Sequence, residues 1–147
     1  MYHRCINIVH HTLHIMGGFK YWRKFVPKSI RRLIDLGCAG EHWAWFFVGK
    51  YFMSIGQEWE AFEYAFKRGS REGDHNCRLI MAARGYLGYR VYHDLPLARA
   101  IFADVIAEKR PFHRSCRPEF EKLCKAFPDV NGVNGVKFYP PTPNKFK

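Results

Sequence analysis

Four groups of side chains in this 147-residue sequence have types and spacings that suggest chemistry, and each lacks a part that the chemistry needs. His10 and His14 stand four apart, with Cys5 and His11 beside them, a spacing that on a helix turns two imidazoles toward one metal ion. A structural zinc takes four ligands in close pairs, and the remaining candidates, Cys38, Cys77, Cys116, Cys124 and His113, are scattered singly, so no metal is expected. His113 and Cys116 bring an imidazole near a thiol, but no orienting third group and no Gly-rich oxyanion loop accompany them; a partly buried, unreactive thiol is the expectation. Glu58, Glu60 and Glu63 gather carboxylates around Trp59, which an exposed helix face explains without acid–base catalysis. Gly85-x-x-Gly88 lacks the Lys-Ser/Thr that a phosphate-binding loop requires. The chain is therefore expected to have no active site and no cofactor of its own.

The elements that carry these residues read as helices. Pro27 and Ser29 open a short helix through Ile30, Leu33 and Ile34, with Gly37 as its expected left-handed end. From Glu41, the residues Trp43, Phe47 and Tyr51 recur at steps of four and give a bulky helix face that ends near Ser54 to Gly56. Trp59, Phe62 and Phe66 form the next stripe, with Ala61 and Ala65 allowing close approach, until Gly69 and Gly73 end it. These two helices make a hairpin. Asp74 is the expected N-cap of a helix carrying Leu79, Ile80, Ala83 and Leu87, on which Gly85 and Gly88 offer a small surface for another helix. Asp94 caps the return helix of a second hairpin, and Pro96 sits early enough in it to need no hydrogen bond. Its apolar face joins Leu97, Ile101 and Val105 with Ala98 and Phe102 as far as Ala107. After Pro111, the run Glu119 to Phe127 sets Phe120, Leu123, Cys124 and Phe127 on one face of a terminal helix that Pro128 stops.

The stretch Asp94-Leu95-Pro96-Leu97-Ala98-Arg99-Ala100-Ile101-Phe102 closely resembles a signature of the matrix-side, helical-repeat subunit of mitochondrial cytochrome c oxidase, subunit Va in animals and VI in fungi. Phe47-Val48, Tyr51-Phe52 and Trp59-Glu60 resemble the opening of that family's repeat region, at a similar distance before the Asp-Leu-Pro. The resemblance covers roughly Phe47 to Phe127. Where that family is rich in Arg ahead of the Asp-Leu-Pro, this chain has Gly85 to Val91, with Arg90 as the clearest match. A second pattern, Gly88-x-x-Val91-x-x-Asp94-x-x-x-Ala98, resembles the repeats of Sel1-like and tetratricopeptide-like solenoids, whose period also fits the distance from Ala61 to Ala98. Both resemblances imply an all-α right-handed superhelix of about five helices, built as stacked helical hairpins with extended N- and C-terminal arms.

Composition bounds the rest. Aromatic residues make up 17% of the chain, and part of that surface is expected to meet other proteins. The formal charge is +11, and no acidic residue precedes Asp35 although Arg4, Lys20, Arg23, Lys24, Lys28, Arg31 and Arg32 all do. Such an acid-free basic leader resembles a mitochondrial targeting segment, and it is expected to stay attached as an import-compatible extension. Within it, Phe19-Lys20-Tyr21-Trp22-Arg23-Lys24-Phe25 alternates cations with rings, a pattern that would also serve a mitochondrial ribosomal protein. The longest apolar run, Trp43 to Gly49, is too short to span a bilayer. Five cysteines without a Cys-x-x-Cys read as reduced thiols.

The expected organisation is a basic N-terminal extension at 1–26, a helical-repeat domain at 27–128, and an extended Pro-rich tail at 129–147 whose Phe138-Tyr139-Pro140-Pro141 suits docking along a neighbour. By resemblance, the chain is expected to be a non-catalytic structural subunit of respiratory complex IV. It would be peripheral on the matrix side of the inner membrane, touching oxidase core and accessory subunits and no nucleic acid. Trp59, Glu60, Arg90, Asp94 and Phe102 are its expected landmarks, with Trp22 and Tyr139 as contacts on the arms. The alternatives are a Sel1-like or tetratricopeptide-like adaptor that binds protein ligands, or a mitochondrial ribosomal protein.

Overall fold

The computed structural model of the chain describes residues 25–139, and these form six helices, with no β-strand among them. They fall into two compact units that divide between Arg68 and Gly69.

In the first unit, α1 (Lys28–Cys38) starts behind Pro27, whose extended ψ of 154° leaves its carbonyl free to accept from Ile30 and Arg31 N–H. The expected stop at Gly37 is wrong. Gly37 lies inside the helix, and the left-handed residue is Gly40 (φ 104°), which lets Gly40 N–H reach Gly37 O and Glu41 N–H reach Leu36 O. Gly37 serves packing instead: a Cβ there would lie 2.5 Å from the Trp45 ring.

The next helix, α2 (Ala44–Ser54), closes in the same way at Gly56. It buries Ala44, Trp45, Phe46, Val48, Gly49 and Phe52, while Trp43 (42% exposed) and Phe47 (38%) turn outward with their rings edge to face. The stripe at steps of four is thus largely the outer face. Nearly every residue of this helix is apolar, so its periodicity alone could not choose a side.

The third helix, α3, runs as Glu58–Glu60, a π-helical stretch Ala61–Phe66, and Lys67–Arg71. Adding a residue to the turn rotates the face, so that Ala61, Phe62, Tyr64, Ala65 and Phe66 are all buried. Phe66 packs where a Cβ on Gly49 would stand 2.3 Å from its ring, so α2 and α3 close against each other through a glycine slot. Trp59, expected in the same stripe, is half-buried with its ring edge-on to Tyr64.

In the second unit, Gly73 (φ 96°) closes the preceding helix, whereas Gly69 is helical and buried. Asp74 caps α4, made of His75–Ile80 and a π-helical Met81–Tyr86, by accepting from Cys77 N–H at 2.9 Å. Asp94 caps α5 (Leu95–Ala107) through Leu97 N–H at 3.1 Å. The face that α5 buries is Ala98, Phe102, Val105 and Ile106. Leu97, expected on it, is exposed. A 3₁₀ turn, Arg114–Cys116, leads into α6 (Arg117–Ala126), which packs on the π-helical stretch of α4. Gly85 is buried there, but the atoms nearest its missing Cβ belong to Met81 of its own turn.

Beyond α6 the tail is not simply extended. Val133–Gly135 forms a 3₁₀ turn, after which Phe138 pairs with Phe112 in a parallel bridge: Phe112 N–H donates to Lys137 O at 3.0 Å and Tyr139 N–H to Phe112 O at 2.8 Å. Ring contacts then run Phe102–Phe120–Phe138–Phe112–His75, tying the tail to three helices. No helix among the described residues is long and apolar enough to cross a membrane.

Candidate functional site

The side chains first suspected of chemistry do not assemble. Cys5, His10, His11, His14, Trp22 and the tail from Pro140 onward lie outside the described residues. Among the described ones, no group of three or more His, Cys, Asp or Glu side chains is arranged to hold a metal ion. His113 and Cys116 meet at Asn76 Oδ1, to which His113 N–H donates at 2.8 Å. His113 Nδ1 accepts from Ser115 N–H at 3.1 Å, while the Cys116 thiol is buried and points at Asn76 Oδ1, 3.7 Å away. Burial and the Asp74 carboxylate push the Cys77 thiol well up, which keeps it in the unreactive protonated form, and burial with Glu121 raises Cys124.

The landmarks are structural or superficial rather than convergent. Glu60 is half-buried beside Tyr64, whose hydroxyl is pushed up to about 12 by burial first and then by Glu60 and Glu63. Phe102 is fully buried against Phe120. Tyr139 stands exposed at the end of the bridge. Arg90 and Asp94 are both exposed. Asp94 N–H donates to Tyr86 O at 2.8 Å, and Tyr89 and Tyr92 stack at 5.5 Å, so the turn between α4 and α5 is a built structure. It holds Val91 75% exposed, with Leu95 and Leu97 also exposed and Arg90 next to them.

Two features were not legible in the sequence: a pair of buried polar side chains, His75 and Glu119, and a cavity. His75 Nε2 donates to Pro111 O at 2.7 Å, which fixes the proton on that nitrogen, and its buried Nδ1 has no hydrogen-bond partner among the described residues. Glu119, nine-tenths buried, receives Arg84 Nε at 2.9 Å. A carboxylate between Pro118 and Phe120 in an otherwise polar helix start carried no sequence signal of burial.

The second feature is a cavity of about 860 Å³ between the C-terminal end of α5 and the 129–137 loop. Val105, Ile106, Val130 and Val136 line it, together with Lys109, Arg110 and Lys137. Its walls come from segments some twenty residues apart, so only Asn131-Gly132, a turn signal, hinted at one of them.

The chain matches no protein-family model, no curated protein and no solved structure.

Proposed function

We propose that this chain is a non-catalytic structural subunit of mitochondrial cytochrome c oxidase, peripheral to the inner membrane on its matrix side, similar to subunit Va. The right-handed superhelical arrangement of its helices is part of the same proposal. The observation that carries it is the surface around the resembling motif: Arg90, Val91, Asp94, Leu95 and Leu97 stand exposed on an ordered turn. An apolar lip flanked by charge, held rigid by backbone hydrogen bonds, suits a protein contact and costs little ordering on binding. The helix start that carries the resemblance would then be both a cap and part of the contact. The exposed Trp43–Phe47 pair on α2 offers a second apolar patch of the same character.

The test is affinity purification of the tagged chain from detergent-solubilised mitochondria, read by a reduced-minus-oxidised haem spectrum and mass spectrometry. Haem a with oxidase core subunits, lost in V91E/L95E while helix content stays, supports the reading. Ribosomal RNA would move the chain to the mitochondrial ribosome. A soluble client without haem would make it a Sel1-like adaptor.

A further inference from the structure

The cavity beside α5 has a definite chemical character. Its floor consists of short apolar side chains: Val105, Ile106 and Val130 are buried and Val136 half-buried. Gly132 (φ 90°) brings the loop down onto this floor, since a Cβ there would lie 3.2 Å from Ile106 Cγ2. The rim is cationic. Lys109 and Arg110 follow the end of α5, and Lys137 faces them from the tail, whose position is set by the Phe112–Phe138 bridge. All three are exposed, and none makes an ion pair among the described residues. The acid on the rim, Asp129, is already engaged by Arg99 Nε at 3.1 Å. Two carbonyls at the end of α5, Asp104 O and Ile106 O, are taken by Glu108 and Lys109 N–H, which weakens the negative pole of the helix at this spot.

Lys109 is a non-glycine residue in the left-handed region (φ 56°), and that reversal carries the chain from α5 along the cavity wall. The result is a groove with three uncompensated positive charges on two segments over an apolar floor. Charges spread over two walls match carboxylates spaced along a chain better than a single headgroup.

We propose that this groove seats an acidic segment of a partner protein, with an apolar side chain on the Val105–Val136 floor and carboxylates on Lys109, Arg110 and Lys137. The inference rests on the reading of the chain as an assembly subunit and names the chemistry of one partner. An electrostatic contact of this kind steers association and weakens with salt.

The experiment is fluorescence anisotropy of a fluorescein-labelled Glu-Asp-Phe-Leu-Asp-Glu peptide against the full chain at low ionic strength. Saturable binding is expected, weakened about tenfold or more in K109E/R110E/K137E. The equally charge-changed control R114E/K122E/K125E should bind within about twofold of the unsubstituted chain, with circular dichroism confirming helix in both. Absence of saturable binding to the unsubstituted chain would overturn the proposal, as would an equal loss in the control. Vesicles of phosphatidylglycerol that displace the peptide through the same three cations would replace it with a lipid surface. Recovery of haem a with the tagged unsubstituted chain, alongside absent peptide binding to that same chain, would remove this inference and leave the subunit reading standing.

Discussion

Residues 25–68 are closed by rings set against glycines, whereas residues 69–139 are closed by guanidinium–carboxylate pairs and a chain of ring contacts that reaches the tail. In the first region Trp45 fills the space at Gly37 and Phe66 the space at Gly49, so helix approach is set by volume. In the second, Arg78–Glu108, Arg84–Glu119 and Arg99–Asp129 join residues 30 or more positions apart. A core held by volume tolerates little change but needs no charge on its surface. One held partly by charge presents cations and carboxylates near the exterior, and the exposed Val91–Leu97 lip and the cationic groove lie in that second region.

The comparison breaks most visibly at the glycine slot. Phe66→Ala is expected to cost about 3–5 kcal/mol through the cavity it leaves. Gly49→Ala should also destabilise, because overpacking of about 1–3 kcal/mol outweighs the roughly 1 kcal/mol gained in helix propensity. Together they should cost clearly less than their sum, since the added methyl enters the space the ring vacated. Urea unfolding of the four chains measures this cycle, and additive costs would remove the slot from the account.

The second region should instead respond in proportion to burial of the carboxylate. Arg84→Ala removes the guanidinium from the buried Glu119 carboxylate and is expected to cost about 2 kcal/mol. That is below the about 3–5 kcal/mol of a fully buried pair, because the Arg84 side chain is 41% exposed and partly screened. Arg99→Ala, whose partner Asp129 is exposed, should leave the unfolding midpoint unchanged within error. Equal effects of the two substitutions would mean that burial does not set the worth of these pairs.

A pH dependence is expected in the first region. The folded Tyr64 hydroxyl is pushed up to about 12, above the ordinary value of 10.0, so the folded state holds this proton more tightly. Its contribution is fully present below pH ~10 and is lost as pH rises through ~12. In Tyr64→Phe that alkaline loss should shrink, as read from unfolding free energies across the range.

Local chemistry was the legible part of the sequence. Asp74 and Asp94 each satisfy N–H groups three residues on, Gly56 and Gly73 take the left-handed turn after a helix, and Pro96 needs no donor; these outcomes depend on neighbours in the chain. What depended on tertiary packing was not legible. Gly37 and Gly40 are equivalent as helix terminators until Trp45 claims the space at one of them. Leu97 and Ala98 are both apolar, and only the position of α5 decides that Ala98 is covered. The π-helical stretches at Ala61–Phe66 and Met81–Tyr86 add a residue to the turn to suit what they pack against, and no residue type announces that. Among the landmarks, Phe102 could be read as core and Asp94 as a cap, but the exposure of Arg90 and Val91 beside them could not. The groove was hidden for a simpler reason, since its floor and rim come from α5 and from the loop beyond α6.

The most direct measurement uses Asp94→Ala, which removes the cap at Leu97 N–H and is expected to cost about 1 kcal/mol. In mitochondria carrying this variant, the amount of assembled oxidase and the turnover per haem a are measured side by side. The account predicts less assembled complex with unchanged turnover per complex. An undiminished amount of complex with impaired turnover would contradict a purely structural role.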